Sequence, residues 1–111
     1  MDLFIEIQAR TGKFQELIHA LPALMPALQF TEGCRGSRIY KDAQDGELLL
    51  LSIQWNDLPD LRNYMLSDRG TAILGAINLL GQKVRVRIDT ENDWEGIEAL
   101  KRLRSGSFRT P

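Results

Sequence analysis

The chain has 111 residues, 43% hydrophobic and 26% charged, the size and composition of one globular domain. With a net charge of -1 and scattered Lys and Arg it offers no basic field for nucleic acid. No apolar run reaches the roughly 18 residues of a membrane helix, and "MDLFIEI" lacks a basic region followed by an apolar core, so a cytoplasmic protein is expected, with neither nucleic acid nor membrane as partner. One cysteine, Cys34, and one histidine, His19, can form neither an internal disulfide nor a His/Cys metal cluster, so no metal site is expected. So short a chain buries only about two thirds of its unfolded surface, which makes dimerisation a natural way to gain burial.

"LFIEIQAR" alternates Leu3, Ile5, Ile7 and Ala9 with Glu6, Gln8 and Arg10, which predicts a half-buried strand over about residues 2 to 10. Thr11 is a candidate cap for the helix that follows, where Phe14, Leu17, Ile18, Leu21, Met25 and Leu28 form one apolar stripe. Pro22 and Pro26 lack the amide that reaches back four residues, so a bend or break is expected there. His19 falls about 140° from the stripe's centre and is expected in solvent.

"TEGCRGSRIYKD" turns through Gly33 into a second strand of about Cys34 to Asp42. "AQDG" then supplies turn chemistry before "ELLLLSIQW", so these two strands are expected to form an antiparallel hairpin. After Trp55, "NDLPDL" joins a capping Asn or Asp to a proline in the first turn; Leu58, Leu61 and Met65 begin a stripe, and Ser67-Asp68 marks a second cap that splits the segment into two helices. "KVRVRID" alternates again and closes the set as a fourth strand. The order βαββαβ is the ferredoxin-like α+β arrangement, an antiparallel sheet with its helices on one face.

In the third strand Leu48 and Leu50 point one way while Leu49, Leu51, Ile53 and Trp55 point the other, so both faces are apolar at its start. Helices cover one face only, and a second copy of the sheet is the cheapest cover for the other, which predicts a homodimer through the sheet face. Glu6, Gln8, Arg10, Arg85 and Arg87 lie on that outward face; they could pair across a two-fold axis, line a wet groove or stay solvated. Residues 90–111 read as a helical extension to a domain of residues 1–89: Asp93 as cap, Trp94, Ile97, Leu100 and Leu103 as a docking stripe on this subunit or its partner, and Gly106 as the stop before a frayed end.

Together, "ARTGKFQEL", "TEGCRGSRIYKDAQDGELLLLSIQW" and "NDLPDLRNYMLSDRGTAILGAINLL" resemble the antibiotic biosynthesis monooxygenase family of dimeric α+β barrels, over about residues 3 to 89. The "EGC" before the second strand, the Trp closing the third and Ser67 twelve residues later carry most of the likeness, and "DWEGIEALKRLRS" resembles an extension in a bacterial branch. The resemblance implies a dimeric α/β barrel, a pocket between sheet and helices, and oxygenation of a quinol-like or phenolic aromatic by O2 with no cofactor.

The chain departs from the family where chemistry is expected. Tyr64 stands where many members carry His, and Arg69 and Gly70 stand where many carry His and Phe. Leu74 falls where haem-degrading relatives place an iron-binding His, and having no lone pair it disfavours haem. The candidate set is therefore Tyr64 as catalytic residue, with Trp55, Tyr64, Arg69 and Leu74 as substrate contacts. Tyr64, with a reference pKa of about 10, suits donation to a phenolate better than proton abstraction. Trp55 and Tyr64 read equally as packing aromatics, and Arg69 as a solvated side chain. Two functions stay open, a cofactor-independent monooxygenase and a non-catalytic dimeric ligand-binding or interaction module. An RNA-binding domain on this scaffold would need paired stacking aromatics, and the first strand supplies only Phe4, beside Glu6.

Overall fold

The computed structural model describes residues 1–90 and 92–105. Its elements are β1 (Asp2–Ala9), α1 (Phe14–Leu24), a 3-10 helix (Pro26–Phe30), β2 (Cys34–Lys41), β3 (Leu48–Trp55), α2 (Leu58–Leu66), α3 (Asp68–Leu80), β4 (Gly81–Ile88) and α4 (Glu98–Ser105). The strands form one antiparallel sheet in the order β2-β3-β1-β4, the ferredoxin-like topology expected from the order of elements.

The period-two pattern decides which side chains go inside. Leu3, Ile5, Ile7 and Ala9 of β1 and Leu49, Leu51, Ile53 and Trp55 of β3 are buried beneath the helices, while Leu48 and Leu50 stay half-buried on the outer face. Leu17, Leu21, Leu61, Met65, Ile73 and Ile77 meet that inner face from α1, α2 and α3. Each such side chain contributes on the order of 1.5–3 kcal/mol by leaving water.

Two helix starts differ from expectation. A turn at residues 11–12 separates Thr11 from α1, which begins after Lys13 without a side-chain cap. Of the two prolines, Pro26 acts as expected, α1 stopping at Leu24 and Pro26 opening the 3-10 helix, whereas α1 runs through Pro22 without a break.

The tail departs further. The helix begins only at Glu98, because the preceding segment pairs with the open edge of β4: Glu95 and Val86 exchange two backbone hydrogen bonds of 2.7 Å. An edge strand presents unpaired amides and carbonyls, and satisfying them outweighs starting the helix directly after Asp93. Trp94 therefore sits on the outer face under Arg85 and Arg87, with guanidinium carbons 4.7 Å and 5.8 Å from the ring centre. α4 docks on α2 of its own chain through Ala99, Leu100 and Leu103, and Arg62 Nε donates to the Leu103 carbonyl at 3.4 Å. The expected stop at Gly106 lies outside the described residues.

On the outer face Glu6 and Arg85 face each other in register and pair doubly at 3.1 and 3.3 Å. These two outward charges are thus matched within one sheet, without a two-fold axis.

Candidate functional site

β3 delivers Trp55 to the end of the core, and Asp57 caps α2 by accepting from the Asp60 amide at 3.0 Å, with Pro59 in the first turn. Ser67 then ends α2 and begins α3, as expected from the sequence. Its Oγ donates to the Tyr64 carbonyl at 2.5 Å and accepts from the Gly70 amide at 3.2 Å. This corner sets Tyr64 with its ring 5.2 Å from that of Trp55, the planes tilted by 39°.

Tyr64 is 4% exposed and Trp55 fully buried, yet the Tyr64 hydroxyl and the Trp55 Nε1 have no hydrogen-bond partner among the described residues. Buried polar groups are nearly always paired, and the exceptions collect at sites that meet something else. Tyr64 also lines a cleft of about 270 Å³. Thr31 and Glu32 contribute one wall from the turn before β2; Asp60 and Asn63 line it from α2, and Ser67 and Arg69 from the α2–α3 corner.

Two glycines shape the cleft. Gly33 has φ +84°, and a β-carbon there would overlap the Asp60 carboxyl, so the "EGC" turn lays Glu32 against the start of α2 only with glycine in its middle. A β-carbon on Gly70 would overlap the Tyr64 carbonyl oxygen and crowd the Met65 backbone. The position where many family members carry Phe has no room here for even a methyl group.

The electrostatics assign roles. Burial first, and then the neighbouring Cys34, push the Tyr64 hydroxyl up, and with Arg69 lowering it in part it stands at about 12. Tyr64 is therefore a hydrogen-bond donor at neutral pH. Its protonated form favours the fold fully below pH 10, and that contribution is lost as pH rises through about 12. The Asp60 carboxyl is raised by loss of water contact first, then by the charges of Asp57 and Glu32. Burial raises Cys34 and holds it as a thiol, whose Sγ–H donates weakly to the Gly36 carbonyl at 3.7 Å.

Of the residues singled out in the sequence, Tyr64 and Arg69 line the cleft together. Trp55 stands behind Tyr64 and does not reach the cleft wall. Leu74, expected among the substrate contacts, lies elsewhere: five residues beyond Arg69 turns it about 140° around α3, to a shallow hollow shared with Leu66, Lys101 and Arg104. The space between sheet and helices, where a pocket was expected, is filled by the core, and the cleft opens at its end. Glu32, Asp60 and Asn63 were missed, because Asp60 reads as a helix-start residue and nothing local brings the 31–33 turn against α2. Among the described residues no three acidic, His or Cys side chains gather to hold a metal ion, and no helix is long and apolar enough to cross a membrane.

Fold and cleft together define an α+β ferredoxin-like domain with a small site at the corner of two helices. The antibiotic biosynthesis monooxygenase family model matches residues 3–73, well over half of the chain, and the chain belongs to that family. None of the curated proteins matches it. Solved structures with the same fold include a Pseudomonas aeruginosa protein at 22% identity and TM-score 0.71, covering 86% of this chain and 90% of its own. A Mycobacterium tuberculosis protein follows at 19% and 0.70, covering 82% and 95%. An antibiotic biosynthesis monooxygenase superposes at 13% and 0.71, covering 80% and 96%. At these identities the likeness shows the fold.

Proposed function

We propose that the Tyr64 cleft binds a small phenolic or quinol-like aromatic and that the protein oxygenates it with O2 without a cofactor. The buried, unpartnered hydroxyl of Tyr64, a residue of the cleft wall, carries this reading, since it is a preformed donor with no acceptor among the described residues. Tyr64 and the Arg69 guanidinium both donate, so together they favour the phenolate form of the ligand, and the displaced proton leaves through the open mouth by way of water. Electron density then rises at the ring carbon opposite the phenolate oxygen. O2 adds there in place of a carbon-hydrogen bond, giving a hydroperoxide that loses water to leave a carbonyl; phenol and O2 become quinone and water. Trp55 backs the Tyr64 ring and keeps its hydroxyl in place.

One observation favours the second reading, a ligand-binding module without catalysis: the raised Tyr64 hydroxyl cannot act as a base near pH 7, and His19, the one imidazole, is exposed on α1. Oxygen uptake separates the two. The oxygenase consumes O2 with at least one member of a quinol panel, and Tyr64→Phe abolishes uptake and weakens phenol binding about 10-fold or more, the worth of a hydrogen bond to a charged group. In that variant the tyrosinate absorbance developing near pH 12 is also reduced. Binding without uptake supports the module, and neither binding nor uptake overturns both.

We further propose that two copies pair through the outer sheet face, on the strength of half-buried Leu48 and Leu50 and of Tyr40, 48% exposed, on that face. Sedimentation should give a dimer that Leu50→Asp shifts to a single subunit; a wild-type monomer at high concentration would refute it.

A further inference from the structure

The charges around the Tyr64 cleft are lopsided. Glu32 and Asp60 line it from facing elements, the 31–33 turn and α2, and Asp57 stands close enough to Asp60 to hinder its ionisation. Arg69 is the one cation in the lining. Among the described residues no cation forms an ion pair with Glu32 or Asp60. The carboxyl groups are also not gathered as metal ligands. Carboxylates held together against their mutual repulsion, beside a buried hydroxyl with no partner of its own, suit an organic cation at the mouth and a polar ring group at the floor.

We propose that the ligand of this cleft is a small phenol carrying a protonated amine, its ring oxygen held by Tyr64 and Arg69 and its ammonium by Glu32 and Asp60. This rests on the phenol-binding reading above and adds a charge requirement to it. The cleft volume of about 270 Å³ limits the ring system to one or two rings, since larger ligands occupy pockets at the upper end of the range of roughly 300–1,000 Å³. Arg69 does not cancel the rim: it acts on the Tyr64 hydroxyl and forms no ion pair with Glu32 or Asp60. A carboxylate on the ligand's tail would meet Glu32 and Asp60 instead, and is expected to be rejected.

Three phenols of similar size test this by titration calorimetry on the wild-type protein: tyramine (cationic tail), p-cresol (neutral) and 3-(4-hydroxyphenyl)propionate (anionic). Tyramine is expected to bind about 5-fold more tightly than p-cresol, the scale of partly exposed charge pairs, and the anion more weakly than either. Raising the salt concentration should weaken tyramine and leave p-cresol unchanged. Glu32→Gln with Asp60→Asn should bring the three affinities together. If p-cresol binds but tyramine gains nothing, if the anion binds as tightly as the cation, or if the tyramine advantage survives high salt, the amine proposal falls while the phenol site stands. If none of the three binds, both fall.

Discussion

Trp55→Ala is expected to lower the unfolding free energy by about 3–5 kcal/mol, the largest stability loss from any single truncation in this chain. Trp55 has no exposed surface and is the bulkiest of the fully buried side chains. Its backbone also ties β3 to the N-terminus, donating to the Met1 carbonyl at 2.8 Å and accepting from the Met1 amino group at 3.0 Å. Those backbone bonds survive the substitution, so the loss measures the indole ring alone. The ring packs among side chains fixed by two layers, the sheet and α2, and these close the cavity only in part. Trp55→Phe should cost much less, because it keeps a ring against Tyr64 and removes an indole N–H that has no partner. Urea unfolding checks both variants: a shifted midpoint at constant slope is expected, and a Trp55→Ala loss below about 1 kcal/mol would show that the ring is not a core anchor.

Gly70→Ala is expected to destabilise by about 1–3 kcal/mol, against the ordinary gain of about 1 kcal/mol for replacing glycine in a helix. The added methyl group meets the carbonyl oxygen of Tyr64 and the backbone of Met65, and backbone atoms cannot swing aside as the end of a flexible side chain can. Relief requires α2 and α3 to part, which stretches the Ser67 cap that joins them. Gly75→Ala in the same helix is the control: nothing lies within 4 Å of its β-carbon, so that variant should be stabilised by about 0.5–1 kcal/mol. Thermal unfolding should therefore move in opposite directions for the two substitutions. If both raise Tm, the corner at Gly70 yields more readily than its contacts imply. Because Tyr64 belongs to the same corner, Gly70→Ala should also weaken phenol binding.

The two substitutions bracket what could be read from the chain. The place of Trp55 in the core follows from alternation along β3, a property of four neighbouring residues. The requirement at position 70 does not, because it depends on how α3 leaves α2. The Ser67 cap announces a corner without stating its angle. Likewise the family resemblance singled out Tyr64 and Arg69 by their positions after Trp55, but the same resemblance placed Leu74 with them, and α3 carries it to another face. The tail shows the opposite error: Trp94 and Ile97 fit a helical stripe, and the open edge of β4 takes their segment as a strand partner first.

By itself, then, the order of residues determined the four strands and the helices between them, the buried faces of β1 and β3, the breaks at Pro26 and Ser67, and the ferredoxin-like topology. Periodicity, capping and proline act over a few residues and need no knowledge of what lies opposite. Only the tertiary structure decided that the 31–33 turn sets Glu32 beside Asp60, that the Tyr64 hydroxyl is buried without a partner, and that its proton is held to about pH 12. Desolvation and charge repulsion depend on distances between segments far apart in the chain, and those distances exist only once the helices have packed on the sheet.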